Sequence, residues 1–151
     1  MLVDKIKNIV PEAEIDESGI LTVTVEPAKY RELALRLKGD RDLSFDFMIC
    51  MTGMDWDDTL GVISLLQSTA HEHKLFLKTF TANRENPELP TVSDIWATAN
   101  LNEREVYDFL GIRFINHPDM RRLFLRNDWV GYPLRKDYNA DPEINPVRLE
   151  S

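Results

Sequence analysis

The spacing of apolar and polar residues predicts a helix and a pair of strands at the start of the chain. Apolar residues recur at helical spacing through residues 2–10, and Pro11 ends that run. The alternating, β-branched stretch 19–25 is typical of a strand, and a turn at 17–19 would join it to a shorter strand at 13–15. The chain is therefore predicted to begin α-β-β.

A second helix and three longer strands are predicted next. Pro27 suits a first helical position, and Gly39 follows the apolar stripe of that helix as a C-terminal stop. Residues 44–54, 60–69 and 74–82 have the composition and alternation of strands, and the short polar connection between the first two is typical of a hairpin loop. These segments would supply most of a sheet.

A third helix is predicted between two stretches without periodicity. Residues 83–94 resemble a loop, and Asn102 stands three residues before Glu105, the spacing of a capping box, so a helix capped by Asn102 and ended by Gly111 is expected. The remainder carries prolines at 118, 133, 142 and 146 and predicts a short strand and an extended tail. The order α-β-β-α-β-β-β-α plus a C-terminal arm predicts an α+β fold with two layers, helices packed on a mixed or antiparallel sheet.

Composition places the chain among ordinary single-domain globular proteins. It has 151 residues, of which 43% are hydrophobic and 29% charged. The single cysteine, Cys50, excludes an internal disulfide, a four-cysteine zinc site and a self-contained iron–sulfur cluster, and fits a reducing compartment. No apolar run has the length of a signal peptide or a membrane span, so membrane association would come through a partner.

Charge is unevenly distributed along the sequence. The chain is acidic overall, with a net charge of −8, which disfavours general nucleic-acid binding. In residues 113–136, however, basic residues outnumber acidic ones. A basic strip on an acidic protein suggests a docking surface. The alternative is that these cations neutralise the protein's own carboxylates.

One group of polar residues could carry acid–base or metal chemistry. Glu103, Glu105 and Asp108 precede His117, and carboxylates near a histidine serve both purposes. The structural alternative is that the glutamates favour the positive end of the helix and that Arg104 pairs with Asp108 at i, i+4. This alternative explains most of the group.

Two further motifs are weaker. His71 and His73 could form half of a zinc site, but no other ligand has a recognisable spacing, so a solvated turn is favoured. The acidic stretch 55–58 lacks the glycine and closing glutamate of a calcium loop and is interpreted as a hairpin loop. The sequence contains no glycine-rich nucleotide motif, no nucleophile elbow and no Cys-x-x-Cys pair.

The stretch DWVGYPLRKDY at residues 128–138 has the composition of a protein–protein contact. Trp, Tyr and Arg dominate interface hot spots, and guanidinium groups dock carboxylates and stack on rings. A proline-broken segment buries little by itself and can lie along a partner at low entropic cost. The alternative is that Trp129 and Tyr132 fold back to cover the chain's own sheet, a turn that Gly131 and Pro133 would serve equally well.

Residues 93–138 closely resemble the signature region of the C subunit of proton-translocating NADH–quinone oxidoreductase, respiratory complex I, known in animals as the 30-kilodalton subunit. The matching residues are Glu103-Arg104-Glu105, Asp108, Gly111, His117-Pro118, Arg121-Arg122, Asp128-Trp129, Gly131 and Pro133-Leu134-Arg135-Lys136-Asp137-Tyr138. The hairpin at 55–68 resembles the family more loosely. Leu101 and Phe124 depart from its pattern, both by apolar exchanges.

The resemblance implies a protein without a cofactor of its own. The complex would use FMN, iron–sulfur clusters, NADH and a quinone, and this chain would lie in the peripheral arm, on the cytoplasmic side of the bacterial inner membrane. Its partners would be the large quinone-site subunit (the D subunit of that complex) and the cluster-bearing subunits. Related subunits also occur in membrane-bound hydrogenases and in quinone reductases fed by other donors, and these stay open.

The sequence therefore predicts a non-catalytic scaffold subunit with a body at residues 1–117 and a C-terminal arm at residues 118–151. The predicted partner contacts are Arg121, Arg122, Arg126, Trp129, Tyr132, Arg135, Lys136, Asp137 and Tyr138. The predicted structural residues are Asn102, Glu103, Arg104, Glu105, Asp108, Gly111, His117 and Pro118. The rival hypotheses are a stand-alone enzyme using Glu105, Asp108 and His117, and a nucleic-acid-binding module using the basic strip.

Overall fold

The computed structural model describes residues 1–145; residues 146–151, including Pro146 and the end of the predicted arm, lie outside this range. Helices and strands alternate irregularly along the described chain. Their bounds are α1 Leu2–Ile9, β1 Glu14–Asp16, β2 Thr22–Thr24, α2 Pro27–Gly39, β3 Phe47–Asp55, β4 Leu60–Gln67, β5 Lys74–Thr81, β6 Glu88–Pro90, α3 Thr98–Leu110 and β7 Arg113–Ile115.

The main sheet has five strands in the order β1-β2-β5-β4-β3. Strands β2 and β5 pair in parallel, and all other pairs in this sheet are antiparallel. Strands β6 and β7 form a separate parallel pair. The predicted α+β fold with helices on a mixed sheet is confirmed.

The hydrophobic core lies between one face of this sheet and the helices. Alternation in β4 and β5 points Val62, Leu66 and Leu77 to that face, where they are fully buried. Helix α2 contributes Leu33 and Leu37, which are equally buried. Burying a Leu or Val side chain stabilises a fold by roughly 1.5–3 kcal/mol, so this face supplies most of the driving force. Within residues 1–145 no helix is long and apolar enough to cross a membrane.

Helix boundaries depart from the prediction at two places. Helix α3 begins at Thr98, so Asn102 lies inside it and does not cap it. The Asn102 side chain instead accepts the Met51 backbone N–H (3.1 Å), a donor on the edge strand β3. Its amide also donates to the Thr98 carbonyl (2.9 Å). Helix α2 includes Gly39 as its last residue, and Asp40 forms the cap.

The C-terminal end of α3 confirms the prediction, and the stretch before α3 corrects it. Gly111 ends α3 in a left-handed conformation, as predicted. Residues 83–94, predicted as a loop, contain the short strand β6, because the backbone of Arg113–Ile115 pairs with it. Neither short strand has a periodicity that a sequence pattern could reveal, although the sequence does predict a strand after Gly111.

Candidate functional site

The buried carboxylate of Asp108 holds the start of the C-terminal arm. Its Oδ2 accepts backbone N–H bonds from Leu123 (3.1 Å), Phe124 (2.6 Å) and Leu125 (3.0 Å), and its Oδ1 lies 3.2 Å from the Arg122 guanidinium. Burial alone would raise the pKa of Asp108, but these donors outweigh it and hold the pKa below its usual value. Asp108 is therefore an ionised anchor that caps a turn of the arm.

Arg122 connects that turn to the next loop of the arm. Besides Asp108, its guanidinium donates to the carbonyls of Trp129 and Gly131, both at 2.9 Å, and it lies 5.0 Å from the centre of the Tyr132 ring. Only 10% of the side chain is exposed. Arg122 thus organises the arm from inside.

A second arginine, on α3, fixes the same segment. Arg104 donates to the carbonyls of Arg121 (3.3 Å) and Arg122 (3.0 Å), and its guanidinium lies 3.7 Å from Asp119. The predicted pair between Arg104 and Asp108 is replaced by these contacts with the arm. Helix α3 therefore presents an arginine and an aspartate to one stretch of backbone.

Tyr132 packs directly on the end of α3. Gly111 has a φ of +76°, and a Cβ added there would stand 2.6 Å from the Tyr132 ring. Both the left-handed backbone and the ring contact require glycine. Leu134 then donates its backbone N–H to the Phe109 carbonyl (3.0 Å), so the arm follows α3 back toward the sheet.

Asp55, at the end of β3, provides a second attachment point for the arm. Asp55 forms a two-pronged ion pair with Arg84 (2.8 and 2.9 Å) and accepts the Lys136 backbone N–H (2.9 Å). Arg135 donates to the Arg84 carbonyl (2.8 Å) and pairs with Asp137. The Arg84 guanidinium is the largest influence on Asp55 and holds its pKa well below the usual range.

Asn145 closes the described part of the arm on itself. Its side-chain amide accepts the Val130 N–H (2.9 Å) and donates to the Val130 carbonyl (2.8 Å). The Asn145 side chain thus satisfies both backbone hydrogen-bonding groups of Val130, as a neighbouring strand would. Gly131 allows the neighbouring contact, since a Cβ there would stand 2.9 Å from the Tyr138 ring.

The outward surface of the arm combines exposed apolar and cationic side chains. Phe124, Val130 and Leu134 are all more than half exposed. The Arg121 side chain is 69% exposed and the Lys136 side chain 55%. Their nearest ion-pair partners, two aspartates, are exposed as well. This surface has an apolar centre flanked by exposed ion pairs, the composition of a contact with a partner that is apolar in the centre and polar at the rim.

The predicted contact residues therefore divide into two groups. Arg122, Arg135 and Tyr132 contact the inside of the arm and the body, while Arg121 and Lys136 face outward in exposed ion pairs with aspartates. Among the rest, Arg126 stacks 5.8 Å from the half-buried Trp129 ring, Asp137 is exposed and Tyr138 packs on Gly131. Contact with a partner by any of these residues stays a prediction.

Glu103 and His117 meet inside the body. The Glu103 carboxylate accepts the Thr91 hydroxyl (2.6 Å) and the Val92 N–H (2.8 Å), and it lies 3.8 Å from His117 Nε2. His117 Nδ1 accepts the Asp119 N–H, so Nε2 carries the proton and donates to the Asn100 carbonyl at 2.9 Å. Burial is the main cause that raises the pKa of Glu103 to about 7.

The residues of the rival enzyme hypothesis do not share a site. Glu105 is exposed, Asp108 is occupied by the arm, and His117 contacts Glu103 and backbone groups. His71 and His73 stack on each other and contact the carbonyls of residues 41 and 43. Among residues 1–145 no group of three or more His, Cys, Asp or Glu side chains could hold a metal ion.

Sequence reasoning missed the hairpin anchor and the exposed apolar residues. Asp55 and Arg84 are 29 positions apart and come together only when β4 pairs with β3 on one side and with β5 on the other. Asn145 lies outside the resemblance to residues 93–138. Phe124 departs from the family pattern, and that departure was the available signal for its exposed ring, which stacks 5.7 Å from Phe109.

The body and the described arm match one family over a continuous range. Residues 23–143 match the family described as "Respiratory-chain NADH dehydrogenase, 30 Kd subunit". The chain belongs to this family. The range of the match starts in β2 and ends within the arm, so it includes Asp108, Arg122 and both places where the body holds the arm.

The similar proteins differ in the share of their length that this chain covers. The NADH-quinone oxidoreductase C subunit of Chlorobium phaeobacteroides is 31% identical over 149 residues, 97% of this chain and 89% of that protein. The NADH-quinone oxidoreductase C/D subunit of Phocaeicola vulgatus is 53% identical over 128 residues, 84% of this chain. This chain spans about a quarter (24%) of the length of that relative.

A solved structure shares the fold of this 30 Kd subunit family member. A chain of the membrane-bound sulfane sulfur reductase (MBS), described as an archaeal respiratory membrane complex, matches with a TM-score of 0.79. The match covers 99% of this chain and 94% of that chain at 24% identity. It therefore extends over the arm as well as the body, and it establishes a common fold.

Proposed function

We propose that this chain is a non-catalytic scaffold subunit in the peripheral arm of a proton-translocating NADH–quinone oxidoreductase. Family membership and the relatives named as C and C/D subunits of such an enzyme support this proposal. The complex, through its FMN, iron–sulfur clusters and quinone site, would transfer electrons from NADH to quinone. The chain itself would bind none of these groups and would lie on the cytoplasmic side of the membrane, in a hetero-oligomer.

The observation that carries the proposal is the conformation of the arm. Hydrogen bonds from the body fix its path, and apolar side chains on its outer surface stay exposed. Asp108, Arg122 and Asp55 define its path, while Phe124 and Leu134 are left exposed. Because the segment already has a fixed path, less conformational entropy is lost when its exposed apolar side chains bind a partner. The large quinone-site subunit and the cluster-bearing subunits are the partners proposed for this surface.

The test is assembly of the complex by variants that leave the anchors intact. Replacing the two exposed residues in Phe124→Ser/Leu134→Ser should lower recovery of the assembled complex at least tenfold, because hot-spot residues each contribute about 2 kcal/mol or more. Leu35→Ser, at a half-exposed site on α2, is the matched control and should assemble normally. Normal assembly of the double variant would overturn the assignment of this surface.

The electron donor is tested separately. The proposal predicts that the complex purified through this chain oxidises NADH and reduces a quinone. Hydrogen oxidation, or turnover with another donor and none with NADH, would favour the related hydrogenase or other-donor reductase. Turnover by the isolated chain would favour the stand-alone enzyme.

A further inference from the structure

The main sheet has a second face that no element among residues 1–145 covers. Pairing registers place Leu65 of β4 between Cys50 and Phe76 of the neighbouring strands, and Ile63 follows on the same face of β4, so all four point away from the helices. None of these four residues belongs to the buried core. The side of an antiparallel sheet that faces water usually carries polar residues, whereas these four neighbouring positions are apolar.

The apolar surface forms a stripe across β3, β4 and β5. At one end Met54 and Phe80 flank Gly61, and the Trp56 ring lies edge-on to Phe80 with centroids 6.1 Å apart. At the other end Phe47 is 48% exposed. The stripe is thus continuous along the whole length of β4.

Charges border the stripe on one side only. Strand β5 directs Lys74 and Lys78 to this face, and Lys78 lies 4.5 Å from the centre of the Trp56 ring. Neither lysine has an ion-pair or hydrogen-bond partner among the described residues, whereas the other lysines of residues 1–145 each have one. Two strands further across the sheet, β1 carries Glu14 and Asp16 on the same face.

We propose that this outer face is a docking surface for an amphipathic helix of another polypeptide. The apolar side of that helix would lie on β3–β5, and carboxylates along one flank would lie over Lys74 and Lys78. The inference depends on the sheet alone and is independent of the proposed function. It concerns the side of the sheet opposite to α3 and the anchors of the C-terminal arm.

The dimensions of the stripe match one helix. Three strands span two inter-strand gaps, or about 10 Å, and a helix with side chains is about 10–12 Å across. Along β4 the stripe runs from Gly61 to Gln67, about 20 Å, which a helix of roughly 13 residues covers. A helix is also the usual cover of an open sheet face.

Lys74 and Lys78 determine which charge the partner helix should carry along the side that faces β5. Unpaired ammonium groups beside an apolar surface favour carboxylates in the partner, and like charges there would be repelled. The β3 side of the stripe carries Cys50 and Thr52, so that flank of the helix needs no charge. The partner helix is therefore apolar in the centre, acidic on one side and neutral on the other.

A second copy of the chain does not satisfy the same pattern. In a two-fold face-to-face pair, matching stripe to stripe places β5 over β3 or over β5, so the lysines meet threonine and cysteine or other lysines. Placing the lysines over Glu14 and Asp16 leaves β3 and β4 uncovered. Self-association would thus either bury lysines without carboxylates or leave the stripe open.

The direct test uses two synthetic 18-residue helical peptides with the same leucine face. One carries Glu and the other Lys along the flank, and binding to the full chain is followed by methyl NMR of Met54, Ile63 and Leu65. The Glu peptide should shift these methyl signals and bind about fivefold more tightly, as two exposed ion pairs predict. Equal affinities, shifts elsewhere or no binding would overturn the proposal.

Variants of the two lysines sharpen this result. Lys74→Glu/Lys78→Glu should reverse the preference between the peptides, whereas Lys74→Arg/Lys78→Arg should keep it. Lys29→Glu, on α2, is a control for altered net charge and should leave the preference in place. A preference that follows net charge in the control as strongly as in the lysine pair would overturn the assignment to this face.

A photocrosslinking residue at position 65 tests the native partner. In cells that make the full chain, the crosslinked peptide should come from one segment of another polypeptide, with apolar residues at i, i+3 and i+4 and acids beside them. The same group at Glu32 of α2 is the control and should not reach that segment. A crosslink to a second copy, to a segment without this pattern, or to nothing would overturn the proposal.

Discussion

The body and the C-terminal arm are ordered by different interactions. The body buries a large set of apolar side chains between its sheet and its helices. In the arm, among residues 118–145, only Asn145 is buried. The path of the arm is instead fixed by the charged side chains of Asp108, Arg104 and Asp55, which form hydrogen bonds with the backbone of the arm. The arm therefore depends on a few polar contacts with the body, whereas the body depends on close packing of apolar side chains.

The largest effect is expected at the first anchor. Asp108→Ala leaves the Arg122 guanidinium and three backbone N–H groups without their acceptor, which costs about 3–5 kcal/mol. Amide hydrogen exchange should show the loss at residues 122–131 first, with the sheet amides less affected. Glu105→Ala, three positions earlier and exposed, is the control. Equal acceleration in the sheet and the arm would contradict the distinction.

Truncation in the core should act on the whole molecule. Leu66→Ala removes a fully buried side chain and should lower the free energy of unfolding by about 2–5 kcal/mol, measured by urea denaturation. Leu35→Ala, at a half-exposed site, should change it little. If Leu66→Ala released the arm while the sheet stayed intact, the two regions would not differ as described.

Glu103 should give the body an unusual dependence on pH. Its pKa in the folded chain is about 7, above the ordinary glutamate value, so the folded state binds the extra proton and stability falls as pH rises from about 4.5 toward 7. The expected loss is about 3 kcal/mol, at 1.36 kcal/mol per pKa unit over the interval between the two pKa values. Glu103→Gln should abolish this slope in unfolding titrations. An unchanged slope would show that another group titrates.

The second anchor should give a smaller effect that is confined to the arm. Asp55→Asn weakens the ion pair with Arg84 and the bond to the Lys136 N–H, at a cost of about 1–3 kcal/mol. Because the pKa of Asp55 is lowered in the folded chain, this contribution is present at neutral pH and is lost when acid protonates the group. Proteolysis of the arm should therefore accelerate in the variant, and in wild type under acid. No difference from wild type at neutral pH would contradict this role.

The smallest effect is expected at the exposed pair beside that anchor. Lys136→Ala removes a 3.1 Å contact with Asp57 in which both side chains are mostly exposed, and should change the free energy of unfolding by about 0–1 kcal/mol. A loss above about 2 kcal/mol, well outside the range of an exposed pair, would mean that arm and body share more than the backbone contact at residue 136.

Most of the body follows from its sequence because the helices and the longer strands each carry their own period of apolar residues. The stripes of α1 and α2 and the alternation of β5 predict both the element and its buried face. The predicted start of α3 is wrong because a capping-box spacing is a local signal, and Asn102 serves β3, 51 positions away. The parallel pairing of β2 with β5 has no local signature either.

The arm follows from its sequence only in part. Its composition indicates a contact surface, and the proline-broken pattern indicates an extended path. Which of its cations face outward depends on the geometry of Asp108 and Asp55, since identical guanidinium groups point inward at Arg122 and outward at Arg121. Residue type alone carries no information on that choice.

Amide exchange of Leu123, Phe124 and Leu125 in the free chain shows whether the body alone orders the arm. If the body orders the arm, these three amides are protected without any partner, and Asp108→Asn removes the protection while the amides of β4 keep theirs. Rapid exchange of all three in the free wild-type chain, with protection only after a partner is added, would contradict the account.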